Sequence, residues 1–376
     1  MFTYSCLNPI AQVGLAGFTA DYSKAEEGGD AILVRSAKMH DMTFAEDLKC
    51  IARAGAGVNN IPLERCADEG IVVFNTPGAN ANGVKELFIF AAIAALRDVI
   101  GGIAWTKSEA GNPDIAALTE KEKKRFVGHE LMGKTLGVIG LGAIGAKVAN
   151  VAVDLGMKVV GFDAFLSDAM RAQLNPLVQI APSNEEVVAG SDLITIHVPA
   201  LPSTVGMVNT ALLEGAHDGL IVINLARDTL VDTESMKAAL ESGKVARYVC
   251  DFPTGGTSSL PNTILIPHLG ASTEESEDNC AVMAVAQVRD FLENGNIKNS
   301  VNYPAVSLGA LTGTRVCVCH KAGSDVSVAI KAQGVTIKAS AAGTRGGYAY
   351  SLFDVDGCVC ADAISSVEGV IRVRIL

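Results

Sequence analysis

Short apolar runs alternate with amphipathic helical patterns along most of this chain. Helical patterns at Pro62–Glu69, Asn80–Arg97 and Thr233–Ser242 stand between such runs. A helix after each strand returns the chain to the same edge of a sheet, so this alternation predicts parallel, doubly wound α/β sheets. The apolar, β-type runs are Ala31–Val34, Ile71–Phe74, Leu136–Ile139, Lys158–Phe162, Leu193–Val198, Leu220–Leu225, Val245–Cys250 and Thr263–Ile266.

Residues 312–376 follow a different order of elements. Helical patterns are predicted at Asp325–Gln333 and Ala361–Val367. The strands predicted around them are Arg315–Cys319, Val335–Ala339, Gly347–Val355 and Val370–Ile375. The resulting order, βαββαβ, predicts a small ferredoxin-like domain.

Composition and charge limit the kinds of protein that this chain can be. Hydrophobic residues make up 49% of the 376 residues and the net charge is −11, which suits buried cores and argues against a nucleic-acid partner. No run of 18 uncharged apolar residues and no signal-peptide pattern occur, so we expect no membrane span and a cytoplasmic location. The C-x-C pairs Cys317/Cys319 and Cys358/Cys360 lack the spacing of a zinc site, so we expect free thiols and no metal.

The most informative motif is Gly140-Leu-Gly142-Ala-Ile-Gly145, which follows one apolar run and opens a helical pattern. A second apolar run then ends on Asp163. The dinucleotide-binding fingerprint consists of a strand, a G-x-G-x-x-G turn, a helix, a second strand and an acidic residue, and this segment has all five in that order. The carboxylate of Asp163 would accept hydrogen bonds from ribose hydroxyls and repel a 2′-phosphate, which favours NAD over NADP. The alternative is a glycine-rich turn without a ligand.

Three later strands end in residues that can do chemistry. They are His197-Val198-Pro199, Ala226-Arg227 and Pro267-His268. Ligands of open α/β sheets bind at the carboxyl ends of strands, so we expect these residues near the cofactor. A histidine suits general acid–base work near neutral pH, and a guanidinium can orient a carboxylate through two hydrogen bonds.

The helix that begins at the Ser272–Glu275 capping pattern is long enough to return the chain to its first α/β unit. We therefore predict a discontinuous, flavodoxin-like substrate domain of residues 1–98 and 275–305. Residues 99–274 would form the dinucleotide-binding domain, and residues 310–376 a third, C-terminal domain.

These motifs together resemble the D-2-hydroxyacid dehydrogenases over nearly the whole chain. Within that family the resemblance is greatest to the phosphoglycerate dehydrogenases that carry a C-terminal ACT domain. The segments that match are Val34–Ser36, Arg53–Ile61, Phe74–Asn80, the glycine motif, His197–Pro199, Asn224–Arg227, Pro267–Thr273, Asp354–Gly357 and Val367–Val370.

The resemblance implies NAD-dependent oxidation of D-3-phosphoglycerate to 3-phosphohydroxypyruvate, the first step of serine biosynthesis. His268 matches the family's catalytic histidine and Arg227 the arginine that orients the substrate. The residues implied to bind substrate are Arg35, Ser36, Arg53, Gly55 and Asn80. Those implied to bind NAD are Gly140, Gly142, Ala143, Ile144, Gly145, Asp163, His197, Val198, Pro199, Thr204, Ala226, Asp251 and Gly270.

The chain departs from the family at a glutamate that normally bonds to the catalytic histidine, in a D-V-F-x-x-E-P type segment. Here the segment begins Asp251-Phe252-Pro253, and the glutamate position falls on Gly255 or Gly256. One interpretation is an active enzyme whose pH dependence differs from that of its relatives. The other is a non-catalytic NAD-sensing protein, against which the retention of Arg227 and His268 argues.

The C-terminal segment also departs from its pattern, since its first loop reads His320-Lys-Ala-Gly-Ser324. An amino-acid effector such as serine and a purely dimerising role both remain open for this domain. The resemblance implies a homodimer or homotetramer and a phosphorylated hydroxy acid as substrate, with glycerate or a similar acid as the alternative.

Overall fold

The computed structural model describes residues 1–376, which form two compact units. The first unit contains Met1–Asn80 and Glu274–Leu376, and the second contains Ala81–Thr273. The predicted boundary after residue 98 lies one helix beyond the observed one. The predicted boundary after residue 274 lies one residue beyond the observed one. That helix, Ala81–Leu96, belongs to the second unit because it packs against a helix and two strands there.

A five-stranded parallel sheet forms the centre of the first unit. Its order, β2-β1-β3-β4-β5, is the flavodoxin-like order that the sequence predicts for the substrate domain. Strand β3 is buried on both faces, which explains its uninterrupted apolar run. The elements are β1 (Phe2–Cys6), α1 (Gln12–Leu15), β2 (Tyr22–Lys24), β3 (Ala31–Val34), β4 (Cys50–Arg53), α2 (Leu63–Asp68) and β5 (Val72–Phe74).

The second unit contains a seven-stranded parallel sheet of order β12-β11-β10-β9-β6-β7-β8. This is the doubly wound dinucleotide-binding order with one added strand, so the predicted fold class is confirmed. Its helices are α3 (Ala81–Leu96), α4 (Val99–Ser108), α5 (Ile115–Glu122), α6 (Ala143–Asp154), α7 (Asp168–Arg171), α8 (Asn184–Ala189), α9 (Thr210–Glu214) and α10 (Thr233–Ser242). Its strands are β6 (Thr135–Ile139), β7 (Lys158–Phe162), β8 (Gln179–Ile180), β9 (Leu193–Ile196), β10 (Leu220–Asn224), β11 (Val245–Cys250) and β12 (Thr263–Leu265).

The rest of the first unit is one long helix and a four-stranded antiparallel sheet. These elements are α11 (Glu274–Asn294), β13 (Thr314–Lys321), α12 (Val326–Lys331), β14 (Thr336–Arg345), β15 (Tyr348–Asp356), α13 (Ala361–Ser365) and β16 (Val370–Ile375). The strand order β14-β15-β13-β16 is that of the predicted βαββαβ unit and is compatible with an ACT-like domain. Short 3₁₀ turns lie at Lys123–Phe126, Asp228–Leu230 and Thr257–Ser259.

Three helix caps that the sequence suggests can be compared with the structure: Ser183 before α8, Ser272 before α11 and Asn80 before α3. The Ser183 hydroxyl accepts a hydrogen bond from the Glu186 N–H, as the capping pattern predicts. The cap predicted at Ser272 is wrong, because α11 begins only at Glu274 and the Ser272 hydroxyl donates to the His268 carbonyl oxygen (3.2 Å). Asn80 does not cap α3 either, since its buried side-chain oxygen has no hydrogen-bond partner.

None of the helices is by itself long and apolar enough to cross a membrane. The pair α3 and α4, bent by 72° at the break between them, passes that test of length and composition when taken together.

Candidate cofactor and catalytic site

The glycine turn lies between β6 and α6, where the strand order of the seven-stranded sheet reverses. Gly140 has φ 92°, and a Cβ there would lie 2.7 Å from the carbonyl oxygen of His197. A Cβ on Gly145 would lie 1.9 Å from the carbonyl oxygen of Gly140, whereas a Cβ on Gly142 would meet no atom within 4 Å. The first and third glycines therefore permit close packing, and the middle one leaves the backbone open to a pyrophosphate.

The helix that follows is the other half of a phosphate site. Ala143 is exposed and Ile144 half-buried in the first turn of α6, and neither side chain carries charge. Free N–H groups at the start of a helix attract phosphate oxygens. Ala143 and Ile144, the residues predicted for this contact, lie in that first turn.

Asp163 follows β7 and is anchored to the glycine turn. One oxygen of its carboxylate accepts the Leu141 N–H and the other accepts the Phe165 N–H, both at 2.8 Å. Each oxygen keeps a further lone pair, and the residue is only partly buried. The carboxylate is thus held in place and remains able to accept hydroxyl groups of a ribose.

His197 follows β9 and faces the same turn. Its Nε2 is 3.0 Å from the Thr195 hydroxyl oxygen, and its Nδ1 is buried without a partner. Burial lowers the pKa of His197 to about 3, so the ring is neutral at physiological pH. A neutral imidazole with one unpartnered nitrogen suits contact with a ligand better than acid–base work, in line with the expectation for this residue.

The predicted cofactor residues after His197 lie in a compact loop and at the end of the next strand. A Cβ on Gly140 would lie 2.7 Å from Cγ1 of Val198, so this valine packs on the glycine turn. The Thr204 hydroxyl donates to the Pro199 carbonyl oxygen (2.6 Å) and closes the loop after β9. The Ala226 N–H donates to the Asn224 side-chain oxygen (3.1 Å), which fixes the start of the loop after β10.

Arg227 and His268, the two predicted catalytic residues, converge on the ring of Phe252. The Arg227 guanidinium lies 5.5 Å from the centre of that ring, and the centre of the His268 ring lies 4.5 Å from it at an interplanar angle of 51°. Both residues are exposed, and they follow β10 and β12, on either side of β11. No ion pair joins His268 to a carboxylate. The structure therefore brings a guanidinium and an imidazole together at the carboxyl edge of the sheet.

Asp251 holds the loop around His268. Its two carboxylate oxygens accept the N–H groups of Leu269 and Gly270, each at 2.7 Å. Burial raises the pKa of Asp251, while these two N–H groups act in the opposite direction. His268 itself has φ 55°, a left-handed conformation that is uncommon outside glycine and costs about 1–3 kcal/mol. The hydrogen bonds of Asp251 with Leu269 and Gly270 thus stabilise the loop in which His268 adopts this conformation.

In the first unit the structure brings four of the five predicted substrate residues together. Arg53 donates through Nε to the Arg35 carbonyl oxygen (3.0 Å). Gly55 has φ 148°, which favours glycine, and a Cβ there would push the guanidinium of Arg53 out of its present position. The side-chain oxygen of Asn8 accepts the N–H groups of Arg35 and Ser36, each at 3.0 Å. Asn80 follows β5, and its buried side-chain oxygen has no hydrogen-bond partner.

Sequence reasoning missed several residues of these sites. Asn8 and Thr76 hold the backbone of the predicted substrate residues, since Thr76 accepts the Gly55 N–H at 2.7 Å. Glu277, in the first turn of α11, forms an ion pair with Arg35. Phe252 contacts both predicted catalytic residues. Only Phe252 had a signal in the sequence, because it stands next to Asp251 in a segment that departs from the family pattern.

Comparison with known proteins agrees with this arrangement. Residues 89–270 match the sequence profile described as "D-isomer specific 2-hydroxyacid dehydrogenase, NAD binding domain". The chain is 34% identical to D-3-phosphoglycerate dehydrogenase of Archaeoglobus fulgidus over 288 residues, which are 74% of this chain and 52% of that protein. It is 34% identical to the human protein of the same name over 287 residues, 74% of this chain and 51% of that one. The chain therefore spans about half the length of the curated relatives it matches.

A solved structure extends the comparison to the fold. NAD-bound 3-phosphoglycerate dehydrogenase of Entamoeba histolytica superposes with a TM-score of 0.62 at 26% identity. The match covers 80% of this chain and 98% of that one. Both α/β sheets and the glycine turn thus have counterparts in known dehydrogenases of 2-hydroxy acids.

Proposed function

We propose that this chain is a D-isomer specific 2-hydroxyacid dehydrogenase and that it oxidises D-3-phosphoglycerate to 3-phosphohydroxypyruvate with NAD. One observation carries the proposal. Arg227 and His268 meet at Phe252 on the carboxyl edge of the sheet whose first strand ends in the glycine turn. A carboxylate-binding cation and an acid–base group beside a dinucleotide site are the parts that this oxidation needs.

The described residues fit NAD. The open space above Gly142 suits the pyrophosphate, Asp163 suits the ribose hydroxyls, and the unpartnered Nδ1 of His197 suits a polar group of the cofactor. NAD supplies the hydride acceptor, which no side chain can replace.

The chain's own residues bind the substrate and move the proton. Arg227 binds the carboxylate next to the reacting carbon and polarises the oxygen on it. His268 accepts the proton of that carbon's hydroxyl group as the carbonyl forms, and returns it in the reverse direction.

The first unit contains the two arginines that the resemblance implies for a phosphate group. Arg35 and Arg53 lie side by side at the ends of β3 and β4, where two guanidinium groups can bind phosphate oxygens. The phosphorylated acid is therefore the proposed substrate.

Three further assignments are proposals that rest on the resemblance. The four-stranded C-terminal sheet is assigned to an ACT-like domain, with an amino-acid effector or a dimerising role. The assembly is proposed to be a homodimer or homotetramer. The nine free cysteines suit a reducing compartment, for which we propose the cytoplasm.

The test is NADH formation at 340 nm by the full chain with D-3-phosphoglycerate, with D-glycerate and NADP as comparison arms. We expect turnover with phosphoglycerate and NAD, and a kcat at least about a hundredfold lower in His268→Asn, because general acid–base groups contribute that much or more. His217→Asn, at an exposed histidine of the same unit, is the matched control and should retain activity. Absence of turnover with every 2-hydroxy acid tested would contradict the proposal.

A further inference from the structure

We propose that Phe252 is the residue that positions the His268 imidazole and the Arg227 guanidinium, so that an aromatic ring does what a carboxylate partner would otherwise do. This inference rests on the proposed function, since it concerns the same pair of residues. It assigns a role to a side chain that touches neither the cofactor nor the substrate in that proposal.

The first support is the set of ring contacts. The His268 ring lies 4.5 Å from the Phe252 ring, centre to centre, with the planes tilted by 51°. On the same ring, Arg227 lies 5.5 Å from the centre, within the range of a cation–π contact. Aromatic rings prefer such offset or tilted contacts, so Phe252 restricts the rotation of both neighbours.

The second support is the absence of another lateral restraint on the imidazole. His268 forms no ion pair, and its backbone is held by the bond from its N–H to the Ile266 carbonyl oxygen (3.0 Å) and by Ser272. These bonds fix the main chain, and no hydrogen bond or ion pair holds the imidazole ring itself. The ring of Phe252 limits the side-chain torsions, beside the electrostatic interaction of His268 with the Asp251 carboxylate.

The third support is that Phe252 is itself firmly held. Its N–H donates to the Cys250 sulfur (3.3 Å). The carboxylate of the preceding residue, Asp251, accepts the N–H groups of Leu269 and Gly270. Residues 251 and 252 therefore hold the loop of His268 from two directions, one through its backbone and one through its ring. A left-handed histidine persists only where the surroundings fix it in this way.

The consequence for catalysis concerns geometry more than charge. A phenyl ring orients its neighbours without adding a negative charge beside the imidazole. Loss of the ring should therefore lower the fraction of molecules with a productive His268 and Arg227, while the glycine turn and NAD affinity stay unchanged. Small errors in placement at a reacting centre cost up to about a hundredfold in rate.

The test compares Phe252→Leu, Phe252→Tyr and a matched control, Phe126→Leu, in the full chain. Phe126 is in the same unit and also contacts one ring, Trp105 at 5.8 Å, and one guanidinium, Arg125 at 5.5 Å. We expect Phe252→Leu to lower kcat roughly ten- to a hundredfold with the Kd for NAD unchanged. Phe252→Tyr keeps the ring and should keep kcat within about threefold, and Phe126→Leu should match the wild type.

A second measurement does not depend on the leucine variant folding. In the wild-type protein, the imidazole proton resonances of His268, assigned by their loss in His268→Asn, should be displaced from random-coil positions by the ring current of Phe252. The inference is overturned if these resonances lie at random-coil positions, or if Phe252→Leu turns over like the wild type. Failure of the wild type to oxidise any 2-hydroxy acid would contradict the proposed function instead, and the resonances would still test the contact.

Discussion

The ion pair between Arg35 and Glu277 places a carboxylate on one of the two arginines assigned to the substrate phosphate. The two side chains are 42% and 43% exposed, so water screens the pair. Such a pair is worth about 0–1 kcal/mol, much less than a bidentate contact of arginine with a dianion. We therefore expect the substrate phosphate to replace Glu277 on Arg35.

Glu277→Gln should lower the KM for D-3-phosphoglycerate by roughly two- to fivefold, because the competing carboxylate is removed. The KM for D-glycerate, which has no phosphate, should not change. Steady-state kinetics with both acids provide the measurement. Asp278→Asn, at an exposed acid on the same helix that forms no ion pair, is the control. An equal effect on both acids would assign Glu277 a role other than competition for Arg35.

His197 should make the stability of the fold depend on pH. Its pKa is lowered to about 3 by burial, below the ordinary value of 6.5. The unfolded chain therefore binds a proton between these values that the folded chain does not, so stability is retained above pH 6.5 and is lost as pH falls toward 3. From pH 7 to pH 5 we expect a loss of about 2 kcal/mol from this group. Urea unfolding at both pH values should show a smaller loss in His197→Gln, while His217→Gln should match the wild type.

At the scale of elements, the C-terminal sheet is covered on both faces within the first unit. Val316, Val318 and Phe353 pack with helices α12 and α13, and other residues of the sheet join the core around Phe74 and Phe291. The residues of the sheet in that second core are Cys317, Cys319, Tyr350 and Leu352. The Tyr350 hydroxyl also donates to the Gly295 carbonyl oxygen at 2.7 Å. The sheet is therefore part of the first unit and shares its core.

Strand β16 is bound to the same unit through Arg372. Its guanidinium donates to the carbonyl oxygens of Glu46 and Glu69, each at 3.0 Å, and to that of Leu48. Arg372→Ala would leave these acceptors unpaired and should lower the free energy of unfolding by about 2–4 kcal/mol. Denaturant unfolding measures the change. Lys338→Ala, which removes an exposed ion pair with Asp356, is the control and should cost less than about 1 kcal/mol. A similar cost for both variants would contradict a structural role for Arg372.

Local sequence patterns predict some helices and strands accurately and others not at all. The predicted bounds of β10, α3 and β16, which are long and mostly apolar, agree with the observed ones to within one or two residues. Helices α4 and α5 were not predicted, because neither has a buried residue and no periodic apolar face marks them. Strands β1 and β2 lie in the flavodoxin-like sheet although their sequences alternate poorly.

At the scale of the whole molecule, the second unit contains no residue of the C-terminal segment. Deletion of residues 312–376 should therefore expose the apolar core around Phe291 and destabilise the first unit, while NAD binding by the second unit is retained. Isothermal titration with NAD and thermal unfolding of the truncated chain check both halves of this expectation. Full activity and unchanged unfolding after the deletion would show that the segment is a separate appendage.

The amino-acid sequence is enough to predict the cofactor site, because the dinucleotide motif is local. Gly140, Gly142 and Gly145 lie within six consecutive residues, and Asp163 follows one helix and one strand later. The alternation of apolar runs with helical patterns also predicts the class of both parallel sheets, since strands buried on both faces are uninterrupted apolar runs. Arg227 and His268 could be chosen because each stands at the end of an apolar run.

The contacts that hold these residues in place depend on tertiary packing and could not be predicted from the sequence. Phe252 contacts both Arg227 and His268 because the three strands that precede these residues are neighbours and end at the same edge of the sheet. Along the chain, Arg227 and His268 are 41 positions apart. Glu277 reaches Arg35 from a helix 242 positions later in the sequence. Contacts of this kind depend on packing between distant segments, and no local period encodes them.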